Sequence, residues 1–288
     1  MCSTVADYRP TDLERLCNLG QLRHRVDRLI SGRGGEGIER LEAVLKGKSF
    51  SLHRHDTYAI GLTLAGVQTF RYRGERRYSL PGQCHILHPD EAHDGAPGTE
   101  EGFRYRIIYL DPVLVQEALG GKALPFVSEP IVSLSARQLA GFRRLWDLDD
   151  EIDELGRIEI VDLSLEALMA ACRRPTGSIR LSMEGLNRAR AMIAADPARR
   201  HSLESLEKAA KLDRWTLARQ FRAAFGTSPS RYRTMRQLTF VRRLILGGTP
   251  LVEASFRAGF ADQSHMTRQF KKAFGLAPGH WVSAAARA

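Results

Sequence analysis

Cysteine is scarce and scattered. The 288 residues hold four, at Cys2, Cys17, Cys84 and Cys172. None forms a CxxC pair that would suggest zinc or redox chemistry, and no spacing reads as a disulfide framework. Reduced thiols in a cytoplasmic protein are therefore expected. Long hydrophobic runs are absent too. No stretch approaches the ~18 apolar residues of a membrane span, so no membrane partner is expected. The N-terminus carries Arg9, Asp12, Glu14 and Arg15 and lacks the apolar centre of a secretory signal. Acid is short in one region only. Residues 180–288 hold 7 Asp and Glu against 20 Lys and Arg, a net of +13, whereas residues 1–179 hold 26 against 23, a net of −3. The positive excess of the chain is thus confined to its C-terminal part, as phosphate binding requires.

What that basic segment contains is a repeat. Arg219-Gln-Phe-Arg-Ala-Ala-Phe-Gly-Thr-Ser-Pro229, followed by Tyr232, recurs as Arg268-Gln-Phe-Lys-Lys-Ala-Phe-Gly-Leu-Ala-Pro278, followed by Trp281, at a constant offset of 49. A repeat held in phase at this many positions is one supersecondary unit used twice. Each copy predicts a helix. Leu217, Phe221 and Phe225 share one face, as do Met266, Phe270 and Phe274. Asp213 and Asp262 stand at N-cap positions, and Gly226 and Gly275, each three residues before a proline, are stop signals. Shorter helices are predicted upstream, through Leu203, Leu206, Ala209 and Ala210 and through Val252, Ser255, Phe256 and Gly259. Helix, tight turn and longer helix describe a helix-turn-helix, whose second helix enters the major groove, although a small helical hairpin has the same pattern. Pro229 to Gly247 predicts a long joining helix, with Tyr232, Met235, Leu238, Val241 and Leu244 inward and a solvated face at Arg233, Arg236 and Arg243.

The N-terminal half has another texture. Leu13, Leu16, Leu19, Leu22, Val26, Leu29 and Ile30 are spaced for an amphipathic helix interrupted by Gly20, and Ser31-Gly-Arg-Gly-Gly35 reads as a flexible connection. From Ile38 to Tyr109, short alternating segments punctuated by Gly66 and Pro81-Gly82 predict an antiparallel barrel or jelly roll. Residues 111–175 return to helix: one helix after Asp111-Pro112, one through Leu139, Phe142, Leu145, Trp146 and Leu148 with Ser135 as cap, and one through Ile158, Val161, Leu165, Leu168 and Met169. Arg173-Arg-Pro-Thr-Gly-Ser178 is the expected linker.

Residues from about 181 to 284 resemble the DNA-binding domain of the AraC/XylS transcription factors. The resemblance rests on Leu203-Glu-Ser-Leu-Glu-Lys-Ala-Ala210, Arg219-Gln-Phe-Arg, Phe225-Gly-Thr-Ser-Pro229, Ala258-Gly-Phe260, Gln263-Ser-His265 and Phe270-Lys-Lys-Ala-Phe-Gly275. Residues 36–112 resemble the cupin-like sensor of the same family, through His53-Arg-His55, Gly66, Pro81-Gly82 and Pro89-Asp-Glu-Ala-His93. The fold so implied is α+β: a cupin-like antiparallel β-barrel with flanking helices, then an all-α domain with two helix-turn-helix units joined by one long helix. The implied division is an N-terminal extension at 1–35, an effector-binding and dimerisation domain at 36–174, and a DNA-binding domain at 175–288. Base contacts are implied at Trp215, Arg219, Gln263, Ser264, Thr267 and Arg268, and a phosphate contact at His265. Arg suits guanine and Gln suits adenine in the major groove. Ala218 stands where family members often carry a polar side chain, which leaves the first unit fewer readers.

His53, His55, Tyr58 and His93 are the expected effector contacts. His53 and His55, two apart, point to one face of a strand, and small residues at Thr57, Ala59, Gly61 and Thr63 would leave room beside them. Three readings stay open for these histidines: an effector pocket, structural residues, or a metal site. In metal-binding cupins, His-x-His and a later His close around one ion with a carboxylate, but Thr57 to Gly66 hold no acid. No residue is assigned to catalysis or to a metal, and no cofactor is expected. The chain is expected to be a sequence-specific DNA-binding transcription regulator under control of a small-molecule effector. The alternative is a metal-dependent cupin enzyme with an accessory DNA-binding domain. The expected partners are operator DNA and the effector, with a homodimer and a contact to RNA polymerase left open.

Overall fold

The computed structural model describes residues 27–46, 50–145, 147–172 and 180–285. Among these residues ten strands form two antiparallel sheets. They are β1 (Arg28–Ser31), β2 (Ile38–Leu45), β3 (Phe50–His53), β4 (Tyr58–Gly66), β5 (Gln68–Tyr72), β6 (Glu75–Ser79), β7 (Cys84–Leu87), β8 (His93–Pro97), β9 (Phe103–Leu110) and β10 (Ile131–Val132). One sheet runs β1-β2-β9-β4-β7-β10 and the other β3-β8-β5-β6. The second sheet leaves one edge of β3 without a strand partner, and that edge becomes important below.

Two expectations change here. Leu29 and Ile30 lie not in a helix but in strand β1, and Ser31 ends that strand instead of opening a flexible connection. β1 pairs with β2 from Arg28 opposite Val44 to Ser31 opposite Leu41, which leaves Leu29 only 2% exposed. A run of two apolar residues carries no period of its own, so pairing decided its conformation. The chain then turns tightly: the Gly32 N–H donates to the Arg40 carbonyl at 2.9 Å, and Gly35 and Ile38 bond each other. The helix expected through Leu13–Val26 and the linker at 173–178 lie outside the described residues.

Inside the barrel one glycine is demanded by its neighbour. A Cβ on Gly61 would sit 2.3 Å from the His85 ring, against which β4 packs. Gly61→Ala should therefore displace that buried ring and cost about 1–3 kcal/mol of stability, measurable as a fall in denaturant midpoint.

Helices α1 (Pro112–Ala118), α2 (Ala136–Leu145) and α3 (Glu154–Ala171) follow the barrel strands. Asp111 caps α1 by accepting from the Val113 N–H, and the Ser135 hydroxyl accepts from the Gln138 N–H at the start of α2. The inward face of α3 is Ile160, Leu163, Ala167, Leu168 and Ala171, whereas Ile158 and Met169 of the expected stripe face out.

The basic half is all helix: α4 (Met183–Ala195), α5 (Leu203–Ala210), α6 (Arg214–Phe225), α7 (Pro229–Leu246), α8 (Leu251–Arg257), α9 (Gln263–Phe274) and α10 (Pro278–Ala285). The pairs α5–α6 and α8–α9 are the two helix-turn-helix units, and α7 joins them. The predicted caps are present. Asp213 accepts from the Trp215 and Thr216 N–H groups, and Asp262 from that of His265. Gly226 and Gly275 each adopt a left-handed conformation with φ 73°, which glycine tolerates without strain. In α8 the buried residues are Ala254 and Ser255, while Val252 and Phe256 are exposed. The first unit has its own core around Leu186, Leu217, Phe221 and Tyr232. The second unit shares a core with the barrel, so that Met266, Phe270 and Trp281 belong to the same cluster as Leu29 and Ile107.

The arginine face of α7 is solvated at Arg243, which is exposed, but not at Arg233 and Arg236. Arg233 donates to the carbonyls of Ala198 and Arg199, Arg236 bonds Asp56, and Arg243 lies over the Phe240 ring. Periodicity marked these residues as polar. It could not tell water from a second polar surface.

Candidate effector cavity and nucleic-acid interface

The candidate reading surface is built from the faces of α6 and α9 opposite their buried phenylalanines. In α6 this face presents Trp215, 80% exposed, with Ala218, Arg219 and Arg222 also exposed. In α9 it presents Ser264, Arg268 and Lys271 exposed and Gln263, His265 and Thr267 half-buried. Among the described residues, neither Arg219 nor Arg268 is held in an ion pair, so both guanidiniums have free donors. The His265 ring packs edge-on against Phe260.

The opposite, C-terminal ends of both helices meet the barrel. The last carbonyls of a helix have no intrahelical donor, and the sensor supplies one to each recognition helix. The Arg54 N–H donates to the Lys272 carbonyl at 2.9 Å, and the Leu124 N–H donates to the Ala223 carbonyl at 2.9 Å. Ala223 and Lys272 are 49 residues apart, so they are the same position of the repeat. The stop glycines are buttressed in the same way. A Cβ on Gly226 would lie 2.5 Å from Pro89, and one on Gly275 would lie 2.9 Å from His53. Ser51 adds its N–H and its hydroxyl to the Gly275 carbonyl, so the free edge of β3 caps α9.

Three ion pairs fasten α7 to the barrel. Arg231 meets Asp90 at 2.9 Å, Arg236 meets Asp56 at 2.5 Å, and Arg242 meets Glu39. The Asp56 side chain is 7% exposed and Arg236 is 26% exposed, so this middle pair is shielded from water. Asp56 holds the Arg236 guanidinium above its ordinary pKa against the effect of burial.

Between barrel and α7 lies a cavity of about 370 Å³. His53, His55 and His93 all line it. One nitrogen of each ring lies within 4.8 Å of the others, and all three residues are buried. Their Nδ1 atoms face main-chain carbonyls, of Ser51 at 2.8 Å, Thr57 at 2.9 Å and Glu91 at 2.9 Å. A carbonyl only accepts, so each Nδ1 carries the hydrogen and each Nε2 keeps a lone pair. Burial keeps the rings neutral. It lowers the pKa of His53 to about 4, that of His55 to about 3, and that of His93 well below 6.5.

Neutral imidazoles with fixed Nδ1 partners are a donor set that fits Zn²⁺ or Fe²⁺. No carboxylate joins the three among the described residues. Asp56 and Asp94, adjacent in sequence to His55 and His93, are engaged with Arg236 and with the Arg71 N–H.

The fourth expected effector contact, Tyr58, is not brought to this cavity. Its ring lies on the other side of β4, where the hydroxyl donates to the Pro125 carbonyl at 2.7 Å beside His88. Of the small residues expected beside the histidines, Thr57 lines the cavity and Gly61 makes room for His85. Two lining residues escaped the sequence reading. Both ring nitrogens of His85 and the Gln68 Oε1 are buried without a hydrogen-bond partner. His85 and Leu87 alternate inward along β7, a signal visible in sequence only once the strand's inner face is known.

Comparison with known proteins agrees with this architecture. The AraC-like ligand binding domain family matches residues 36–168, and a helix-turn-helix domain family matches residues 206–284. The uncharacterized HTH-type transcriptional regulator YbfI of Bacillus subtilis (strain 168) is 24% identical over 233 residues, covering 76% of this chain and 82% of its own. Among solved structures, ToxT from Vibrio cholerae O395 superposes with a TM-score of 0.64 at 10% identity, over 88% of this chain and all of its own. ToxT from Vibrio cholerae strain SCE256 with an unsaturated fatty acid bound gives 0.62 at 10% identity, over 93% of this chain and 99% of its own. At such identity the likeness is one of fold. No helix among the described residues is long and apolar enough to cross a membrane. The two domain matches account for both halves of the chain, in the order sensor then reader, and the chain belongs to the AraC family of transcriptional regulators, not to an enzyme family.

Proposed function

We propose that this regulator reads its operator with α6 and α9 in successive major grooves, about 34 Å apart, and that the cavity between barrel and α7 receives the effector. One observation carries the coupling of the two activities. The sensor donates a main-chain hydrogen bond to the same carbonyl in both recognition helices, at Ala223 and Lys272. An effector that shifts β3 or the loop at Leu124 therefore acts on a recognition helix without an intermediary. The effector changes operator affinity to the extent that it binds two arrangements unequally. Trp215, Arg219, Gln263, Ser264, Thr267 and Arg268 are the proposed base readers and His265 a phosphate contact. His53, His55 and His93 are the proposed effector contacts, with Tyr58 left out because its hydroxyl is engaged elsewhere.

Arg268→Ala should relax discrimination at one or two base positions of one half-site by about 1–3 kcal/mol, while Arg219→Ala should act about one helical turn away. Selection of binding sites from random DNA by the full chain and by each variant measures this. Equal weakening on all sequences would reassign both arginines to phosphate. A homodimer is supported by the exposed face of α3, where Leu155, Ile158 and Met169 lie on one side. Sedimentation of Ile158→Glu beside the parent chain tests it.

A further inference from the structure

We propose that the effector is a small organic amine, bound as its ammonium ion, whose N–H groups donate to the imidazole Nε2 atoms of His53, His55 and His93. The inference deepens the reading of the cavity as the effector site and rests on it. Polarity is its first support. Each Nδ1 hydrogen is already given to a main-chain carbonyl, so the three rings offer lone pairs and no hydrogen. A carboxylate placed against these three Nε2 atoms would meet acceptors alone. An ammonium brings three donors to three acceptors.

Charge points the same way. Five carboxylates line the cavity, on Glu36, Glu39, Asp56, Asp94 and Asp111, against three guanidiniums, on Arg190, Arg236 and Arg242. Arg236 and Arg242 are taken up by Asp56 and Glu39, which leaves Glu36, Asp94 and Asp111 against Arg190, and this remainder of acid attracts a cation. Tyr105 and Tyr109 add aromatic lining, which favours cations over anions. The Tyr109 ring stands edge-on to His55, with centroids 5.2 Å apart.

Size separates an organic cation from a bare ion. A volume of about 370 Å³ is that of a small-molecule pocket, far more than one ion fills. The buried, unpaired Gln68 Oε1 is a further acceptor on the cavity wall. An amine with a second donor, such as a hydroxyl or a second amino group, would satisfy both.

The test uses the full-length protein and matched probes. Benzylamine, hexylamine and 6-amino-1-hexanol are compared with benzoate, hexanoate and benzyl alcohol, and Zn²⁺ is a separate arm. Thermal melts and affinity for a selected operator are measured in the same preparation. The expected result is a saturable rise in melting temperature with the amines, about 3–6 °C at tenfold excess over Kd, and none with the carboxylates. The amino alcohol should give the largest rise. His55→Ala should lose the response and His55→Gln, whose amide oxygen still accepts, should recover part of it. Should His55→Ala not fold, the contrast between hexylamine and hexanoate on the parent chain carries the test. Stabilisation by carboxylates, silence of every amine, or a response confined to stoichiometric Zn²⁺ each overturns the proposal. Failure to bind any selected DNA would instead remove the functional reading beneath it.

Discussion

Acidification below pH 6.5 is expected to unfold the sensor. Five histidines of the barrel, four buried and His88 half-buried, have pKa values lowered from 6.5 by burial: His53, His85 and His88 to about 4, His55 to about 3, and His93 well below 6.5. The unfolded chain takes up protons below pH 6.5 that the folded barrel refuses. Stability is therefore fully present above pH 6.5 and falls as the pH drops toward about 4. One pH unit below 6.5 each such histidine costs about 1.4 kcal/mol. Five together approach about 7 kcal/mol, against a total stability of about 5–15 kcal/mol for a typical protein. Melting curves by circular dichroism between pH 8 and pH 5 should show a steep decline beginning near pH 6.5. A melting temperature that stays level down to pH 5 would mean that water or counter-charge reaches these rings.

Asp56→Asn should separate the two halves. The substitution leaves Arg236 shielded in the interface with its charge uncompensated, a loss of about 3–5 kcal/mol for a buried pair. Glu39 and Asp90 remain to hold α7 through Arg242 and Arg231, but neither carboxylate reaches Arg236 as Asp56 does. The parent chain should unfold in one transition, because the barrel and the second reading unit share a core. The variant should unfold in two, as followed by calorimetry. A single unshifted transition would show that the shared apolar core, with Phe270 and Trp281, suffices to join the halves.

The helices of the basic half were legible in the sequence, with their caps and stops. Its repeat fixes phase twice over, and its caps are local chemistry: an Asp side chain accepting from N–H groups two or three residues on, a Gly that takes a left-handed turn. The barrel was legible as strands and as a histidine cluster, because His53 and His55 declare their common face by spacing. What the sequence withheld is everything decided by a distant surface. Arg236 looks like any exposed helical arginine until Asp56 is placed against it. Tyr58 sits three residues from His55 yet points away, since β4 turns alternate side chains outward. His85 gives no polar pattern because it stands alone on an apolar strand. β1 was mistaken for helix because its partner β2 lies ten residues further along the chain, where no local period reaches.

The twin caps at Ala223 and Lys272 have a consequence for how such a regulator changes over generations. Specificity for an operator is usually sought in the side chains that touch bases. Here the backbone of two sensor segments, at Arg54 and at Leu124, grips the far ends of both recognition helices. A substitution in either segment that repositions one N–H by a fraction of an ångström would alter the pitch at which the two helices meet the duplex. Drift in the ligand-binding half can thus retune the spacing of the DNA sites that are recognised, with no change to any residue that reads a base.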